Sequence, residues 1–210
     1  MIKATFIGNT RGLHNRLNGK LNGGDILFHC GDFMRTGLYV QELTGFLEWF
    51  KQQPYKYKVL VAGNHDIYCN GIQLGAMFDQ YYDDGIRYLE DEEVELDGLR
   101  IYGTPYMKWY YGCDAFGLDD ETDSLMYKYS MIPDGVDVLL THNPPYNILD
   151  YNSKHKDHLG SVSLYNRLSE MKEPPRFVGF SHTRGDSGKT ENGEKSIFIN
   201  CSNAIVDVDI

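Results

Sequence analysis

The chain has 210 residues, of which 41% are hydrophobic, enough to read 1–210 as one domain with a sizeable core. Thirty acidic against twenty basic side chains give a formal charge of −10 with no Lys/Arg block, which argues against duplex nucleic acid or an anionic membrane as the main partner. Residues Met1–Ile7 form no charged-then-apolar leader, no apolar run approaches the ~18 residues of a membrane span, and Cys30, Cys69, Cys113 and Cys201 show no metal-finger spacing, so a cytoplasmic protein with free thiols is expected.

Short apolar runs recur along the chain, each closed by a polar cluster. Ala4–Ile7 reads as a buried strand followed by Gly8-Asn9-Thr10-Arg11-Gly12, and Ile26–His29 as a second followed by Gly31-Asp32. Val40, Leu43, Phe46, Leu47 and Phe50 share one face of a helix, which Pro54 stops. Val59–Ala62 leads into Gly63-Asn64-His65-Asp66. Val94–Tyr102 reads as a hairpin turning at Asp97-Gly98. Val136–Thr141 runs into His142-Asn143-Pro144-Pro145, Ser163–Met171 reads as a helix ended by Pro174-Pro175, and Phe177–Phe180 precedes Ser181-His182-Thr183-Arg184. Gly185–Glu194 is polar and Gly-rich and reads as a mobile loop. Ser196–Asn200 and Ala204–Ile210 read as strands. Five polar clusters at five strand ends suggest one site, because open α/β sheets build sites there.

The residue types fit hard and borderline metal coordination: a carboxylate, an amide oxygen and imidazole nitrogens. In this order the clusters resemble the calcineurin-like metallophosphoesterases. The stretches Ile26–Phe33, Trp49-Phe50, Pro54–His65, Gly98–Pro105 and Ile132–Gly135 are similar to the small metallophosphoesterase-domain-containing branch. The resemblance covers nearly the whole chain and implies an α/β (α+β) fold, a four-layer αββα sandwich with two mixed sheets flanked by helices. It implies hydrolysis of a small phosphomonoester or phosphodiester, nucleotides included, with manganese first among the metals and iron, nickel or zinc as the others.

In that family two ions sit side by side, bridged by an Asp, a role the resemblance assigns to Asp32. Asn64, His142 and His182 match the other ligands of the second ion, and His65 matches the residue that contacts phosphate or protonates the leaving group. The ligands unique to the first ion are replaced. The opening Asp-x-His appears as Asn9 and Arg11, and the second His of Gly-His-x-His appears as Arg184. Aligned instead on Gly179-Phe180-Ser181-His182, the first His becomes Phe180 and His182 belongs to the first ion.

Two guanidinium groups would roughly offset a missing divalent cation and suit phosphate oxygens. The expectation is a one-metal site of Asp32, Asn64, His142 and His182, with Arg11 and Arg184 on the phosphoryl oxygens, His65 as acid and Asp66 as its orienting partner. Asn143 is expected near the substrate, and Trp109, within the aromatic run Tyr106–Phe116, to stack on a base. The alternative is a degenerate member that binds a nucleotide or other phosphorylated ligand without cleaving it. His14, His29, His155 and His158 read as surface or packing residues, and Asp119–Glu121 and Glu90–Glu93 as solvated surface.

Overall fold

The computed structural model describes residues 1–70, 74–120, 123–152 and 156–210. The readings of His155 and Glu121 lie outside the described residues. In chain order the strands are β1 (Lys3–Ile7), β2 (Gly24–Cys30), β3 (Tyr55–Val61), β4 (Ile86–Tyr88), β5 (Glu92–Leu96), β6 (Leu99–Thr104), β7 (Met107–Lys108), β8 (Gly117–Leu118), β9 (Val138–Thr141), β10 (Tyr151–Asn152), β11 (Asp157–His158), β12 (Phe177–Phe180), β13 (Thr190–Asn192), β14 (Ile197–Asn200) and β15 (Ile205–Asp209). The α-helices are α1 (Val40–Lys51), α2 (Gly75–Asp79), α3 (Asp123–Ser130) and α4 (Val162–Glu170).

One sheet has the order β15-β1-β2-β3-β4 and the other β13-β14-β12-β9-β6-β5. Both are mixed. β1 to β4 run parallel with β15 antiparallel at the edge. β14, β12, β9 and β6 run parallel, with β13 and β5 antiparallel outside them.

The side-chain period of two sorts each strand between two cores. Phe6, Phe28, Val59 and Val61 point between the sheets and meet Ile101, Val138, Leu140 and Ile199. Their neighbours Ile7, Leu27 and Leu60 face the other way and pack on Phe46, Leu47 and Phe50 of α1. On the far side, Tyr102, Leu139, Val178 and Phe198 pack on Leu125 and Tyr129 of α3 and Leu164 and Leu168 of α4. The layers are therefore helix, sheet, sheet, helix, the sandwich the resemblance implied.

The hairpin β5–β6 turns where expected, with Leu96 opposite Leu99 and both Asp97 (φ 51°) and Gly98 (φ 81°) left-handed. α4 starts one residue before its expected position, capped by Ser161, whose hydroxyl accepts from the Leu164 amide at 3.1 Å. The segment read as a mobile loop, Gly185–Glu194, contains the edge strand β13. All three of its residues are exposed, so they carry no apolar alternation to betray a strand. No helix among the described residues is long and apolar enough to cross a membrane.

Candidate metal and phosphoester site

Parallel pairing brings the C-terminal ends of β1, β2 and β3 to one edge of the first sheet and those of β9 and β12 to the matching edge of the second. Every polar cluster from the sequence follows one of these five strands. Four residues there take left-handed backbone conformations without being glycine: Asn9 (φ 53°), Arg11 (44°), Asp32 (59°) and His182 (61°). Such conformations concentrate where a fold must aim side chains at a site. Glycine serves close approach: a Cβ on Gly31 would come within 2.5 Å of His142 Nδ1, and one on Gly63 within 2.7 Å of His142 Cε1.

His142 stitches the two sheets together. Its Nδ1 lies 2.8 Å from the Cys30 carbonyl at the end of β2. A carbonyl oxygen only accepts, so Nδ1 carries the ring proton. Burial lowers the pKa of the imidazole and favours the neutral form, in which Nε2 keeps its lone pair. That lone pair faces Asn64 Oδ1 at 3.2 Å and Asp32 Oδ1 at 3.4 Å. In that form three lone-pair atoms, on His142, Asn64 and Asp32, converge among fully buried residues. His182 lies alongside, its ring 5.2 Å from that of His142, and its buried Nδ1 has no hydrogen-bond partner among the described residues. Burial, then His142, push His182 down to about 3.

Asp32 is ionised here. Burial opposes its charge, but His142, Arg11 and His65 outweigh burial and hold the carboxyl at about 2. Of these three, Arg11 is the permanent cation. Its guanidinium meets the other carboxylate oxygen, Oδ2, through Nη2 at 2.9 Å and Nε at 3.2 Å. Asp32 Oδ1 also accepts from the His65 amide at 2.9 Å. The carboxylate is thus divided, one oxygen toward the histidines and one toward the arginine.

Asn9 sits beside the site with both ends of its amide engaged. Nδ2 donates to Ser202 Oγ at 2.8 Å, and Oδ1 lies 3.1 Å from the Ser181 hydroxyl. Asn9, which the resemblance matches to a first-ion carboxylate, is here a neutral cross-brace between the sheets. Ser181 was not singled out from sequence, and nothing in its motif marks it. Its hydroxyl touches Cys30 O (2.6 Å), His142 Nδ1 and Asn9 and so joins three parts of the site.

Three expected site residues take contacts other than the expected ones. Arg184 is exposed, and no hydrogen bond or ion pair connects its guanidinium to Asp32 or Arg11. Asp66 does not orient His65. Its buried carboxylate accepts from the amides of Asp32 (2.8 Å), Phe33 (3.4 Å), Met34 (2.8 Å) and Gly63 (2.8 Å), tying the two ligand loops together. Burial and the Asp32 charge push this carboxyl up, against the pull of those amides. Asp66→Ala strands several buried donors and should lower the unfolding free energy by roughly 3 kcal/mol or more. Urea denaturation measures this, and an unchanged midpoint would show that the loops hold without it. Asn143 is fully buried and donates to the Pro144 carbonyl at 2.8 Å, bracing its own loop.

His65 is partly exposed, and its ring has no hydrogen-bond partner among the described residues, which leaves it free for a ligand. Trp109 is exposed on the rim. Tyr110 beside it reaches inward, its hydroxyl 3.1 Å from Asn64 Nδ2 and its ring 5.6 Å from His182. Burial pushes its phenol up to about 12. Phe180 is buried in the core under α4 and lends no support to the alternative alignment that put it in the first histidine's place. His29 packs against Phe33, Phe46 and Phe50, and His14 against Trp49, as expected of packing residues. His158 is bound by Asp150 at 2.6 Å.

Residues 7–183 match the family model described as calcineurin-like phosphoesterase. The chain belongs to the calcineurin-like phosphoesterase family. It is 34% identical over 199 residues to the human metallophosphoesterase domain-containing protein 1, covering 85% of this chain and 60% of that protein. It is 30% identical over 197 residues to the Caenorhabditis elegans UPF0046 protein C25E10.12, covering 85% and 67%. The chain thus spans about three-fifths of the human relative's length. Among solved structures the fold is similar to TT1561 of Thermus thermophilus (TM-score 0.68, 14% identity, 96% of this chain and 89% of that one). It is also similar to phosphopantetheinyl hydrolase from Mycobacterium tuberculosis (TM-score 0.61, 12% identity, 98% and 95%).

The family implies a divalent metal, and the donor set passes a direct test of fit. Among the described residues no three His, Cys, Asp or Glu side chains form a ready-made cluster. The set is completed instead by an amide, with one Asp32 oxygen held by Arg11. The separations of 3.2 and 3.4 Å from His142 Nε2 match those of neighbouring donors on an ion with bonds of about 2.1 Å, which lie about 3.0–3.4 Å apart. The Cys30 carbonyl fixes the histidine tautomer, as partners of metal-binding histidines do.

Proposed function

We propose that the chain is a phosphoester hydrolase working with one divalent ion and one built-in arginine. The observation that carries this reading is the divided Asp32 carboxylate. One oxygen looks toward bare imidazole and amide donors, and the other is neutralised by Arg11. Asp32, Asn64, His142 and His182 would hold the ion, which when bound supplies Lewis acidity toward a phosphoryl oxygen and lowers the pKa of water. Manganese suits the mixed O/N donor set, as do iron, nickel and zinc.

The side chains divide the remaining work. Arg11 is about one-third exposed, so its guanidinium can keep Asp32 and still offer an N–H to a phosphoryl oxygen at the mouth of the site. His65, next to Asn64 and unbonded, is placed to give a proton to the leaving oxygen. The exposed rings of Trp109 and Tyr111 flank Tyr110 at the rim and favour a substrate with a flat organic group, a nucleotide among them. The four cysteines are free thiols, in keeping with a reducing, cytoplasmic setting, and the sheets share one inter-sheet core, in keeping with a single domain.

The test is turnover of a generic aryl phosphodiester with manganese. His65→Ala should lower kcat by about 10²-fold or more, because a positioned general acid contributes about 10²–10⁴-fold. An activated aryl leaving group that hides this loss would be exposed by repeating the assay with an alkyl phosphodiester. Unchanged turnover of both substrates would remove His65 from the mechanism.

A further inference from the structure

We infer that Glu42 is a positioning residue that aims His65 through the backbone of Gly37. The inference rests on the reading of His65 as the proton donor and adds a residue on which that role depends. Its starting point is the loop that follows Asp32. Six consecutive backbone amides, from Asp32 to Gly37, all donate to two carboxylates. Asp66 takes those of Asp32, Phe33 and Met34. Glu42, in the first turn of α1, takes those of Arg35 (3.0 Å), Thr36 (2.9 Å) and Gly37 (3.0 Å) on one oxygen and the Thr36 hydroxyl (2.8 Å) on the other. Burial works against the Glu42 charge, but the Thr36 hydroxyl and the three amides outweigh it and hold the carboxyl below its ordinary range.

Gly37 is what this second carboxylate keeps in place. Its backbone is left-handed (φ 77°), and a Cβ there would overlap the His65 carbonyl and come within 2.9 Å of the Ile67 amide nitrogen. Its own carbonyl accepts from the Tyr68 amide at 2.5 Å. Gly37 therefore lies directly on the backbone that carries His65, whose amide is fixed by Asp32 Oδ1 at 2.9 Å. The His65 ring has no hydrogen-bond partner among the described residues, so its direction follows from how that backbone is held. The two carboxylates differ in burial. Asp66 is fully buried, and its amides would be stranded without it. Glu42 is partly exposed and Arg35 and Thr36 are exposed, so water can take over their amides when the carboxylate is removed. The loop then stands without the bond that sets Gly37 against His65. A displacement of a reacting group by about 1 Å can cost about 10²-fold in rate.

The experiment measures turnover of an alkyl phosphodiester with saturating manganese in four proteins: wild type, Glu42→Ala, His65→Ala and the double variant. Glu42→Ala should lower kcat about tenfold in the His65 background, with KM within about twofold. In the His65→Ala background it should change kcat by no more than about twofold, because no ring is left to aim. An aryl phosphodiester, whose leaving oxygen needs little protonation, should lose less than the alkyl one. Glu42→Gln, which keeps one acceptor oxygen, serves in the same cycle if the alanine variant does not fold. Unchanged kcat of the Glu42 variant in the His65 background would overturn the inference and leave His65 as the acid. Equal losses in both backgrounds, or on both substrates, would also overturn it, showing that Glu42 only supports the loop. If His65→Ala alone leaves turnover of both substrates unchanged, the reading of His65 fails, and the inference with it.

Discussion

Asp32→Asn is expected to abolish manganese retention and to cut phosphodiester turnover by about 10³-fold or more, since several kcal/mol of transition-state stabilisation at roughly 1.4 kcal/mol per decade depend on the charge it holds. The substitution keeps the shape of the side chain and changes two things at once. It removes the anion that faces His142 Nε2 at 3.4 Å, and it leaves Arg11 without its partner at 2.9 Å. Among the described residues no other side chain bonds both Arg11 and the histidine side of the site. Turnover within tenfold of the wild type, measured with saturating manganese, would show that the carboxylate is a structural counterion and that the chemistry lies elsewhere.

Arg11→Ala is the second large effect. The guanidinium is the permanent cation beside Asp32, at the position that the resemblance matches to a ligand of the first ion. A preorganised donor aimed at developing phosphoryl charge is worth about 10²–10³-fold in kcat, and that loss is expected here. Arg184→Ala supplies the contrast. This side chain is exposed and makes no ion pair to the site, so turnover should stay within about twofold of wild type. Equal losses in the two variants would mean that both arginines reach the substrate, as the sequence alignment alone implies. A loss at Arg184 alone would assign the phosphate contact to the wrong residue here.

The contrast between those arginines shows where sequence reading stops. Strand ends were visible because apolar runs and polar clusters alternate, and parallel pairing then gathers the clusters at one place. The family resemblance then singles out Asp32, Asn64, His142 and His182 within those clusters as the expected ligands. Arg184 follows His182 by two residues, but its direction depends on a tight turn there. His182 is left-handed, the Thr183 amide bonds back to Ser181 O at 2.6 Å, and the Thr183 hydroxyl donates to Leu149 O at 3.2 Å. The Arg184 side chain that follows this turn is exposed, and the bond to Leu149 joins segments 34 residues apart, beyond the reach of spacing.

Asp66 illustrates a different limit. Its adjacency to His65 suggests a catalytic pair, yet a buried carboxylate next to two loops full of free amides is drawn to them instead. Tyr110 was noticed only as one of several aromatic residues in a loop. Its contact with Asn64 spans 46 positions and appears once the loop between β7 and β8 folds over the site. The short strands β4 and β13 and the helix α3 have too few residues, or too polar a face, to show a period.

The central claim is one divalent ion balanced by one arginine. Metal content per chain, measured by mass spectrometry after equilibration with excess manganese and desalting, tests it most directly. The account predicts one manganese per chain in the wild type and none in Asp32→Asn. Two ions per chain would contradict it by placing a metal where Arg11 stands, and none would leave Arg11 and Asp32 as a closed ion pair in a site that binds phosphorylated ligands without cleaving them.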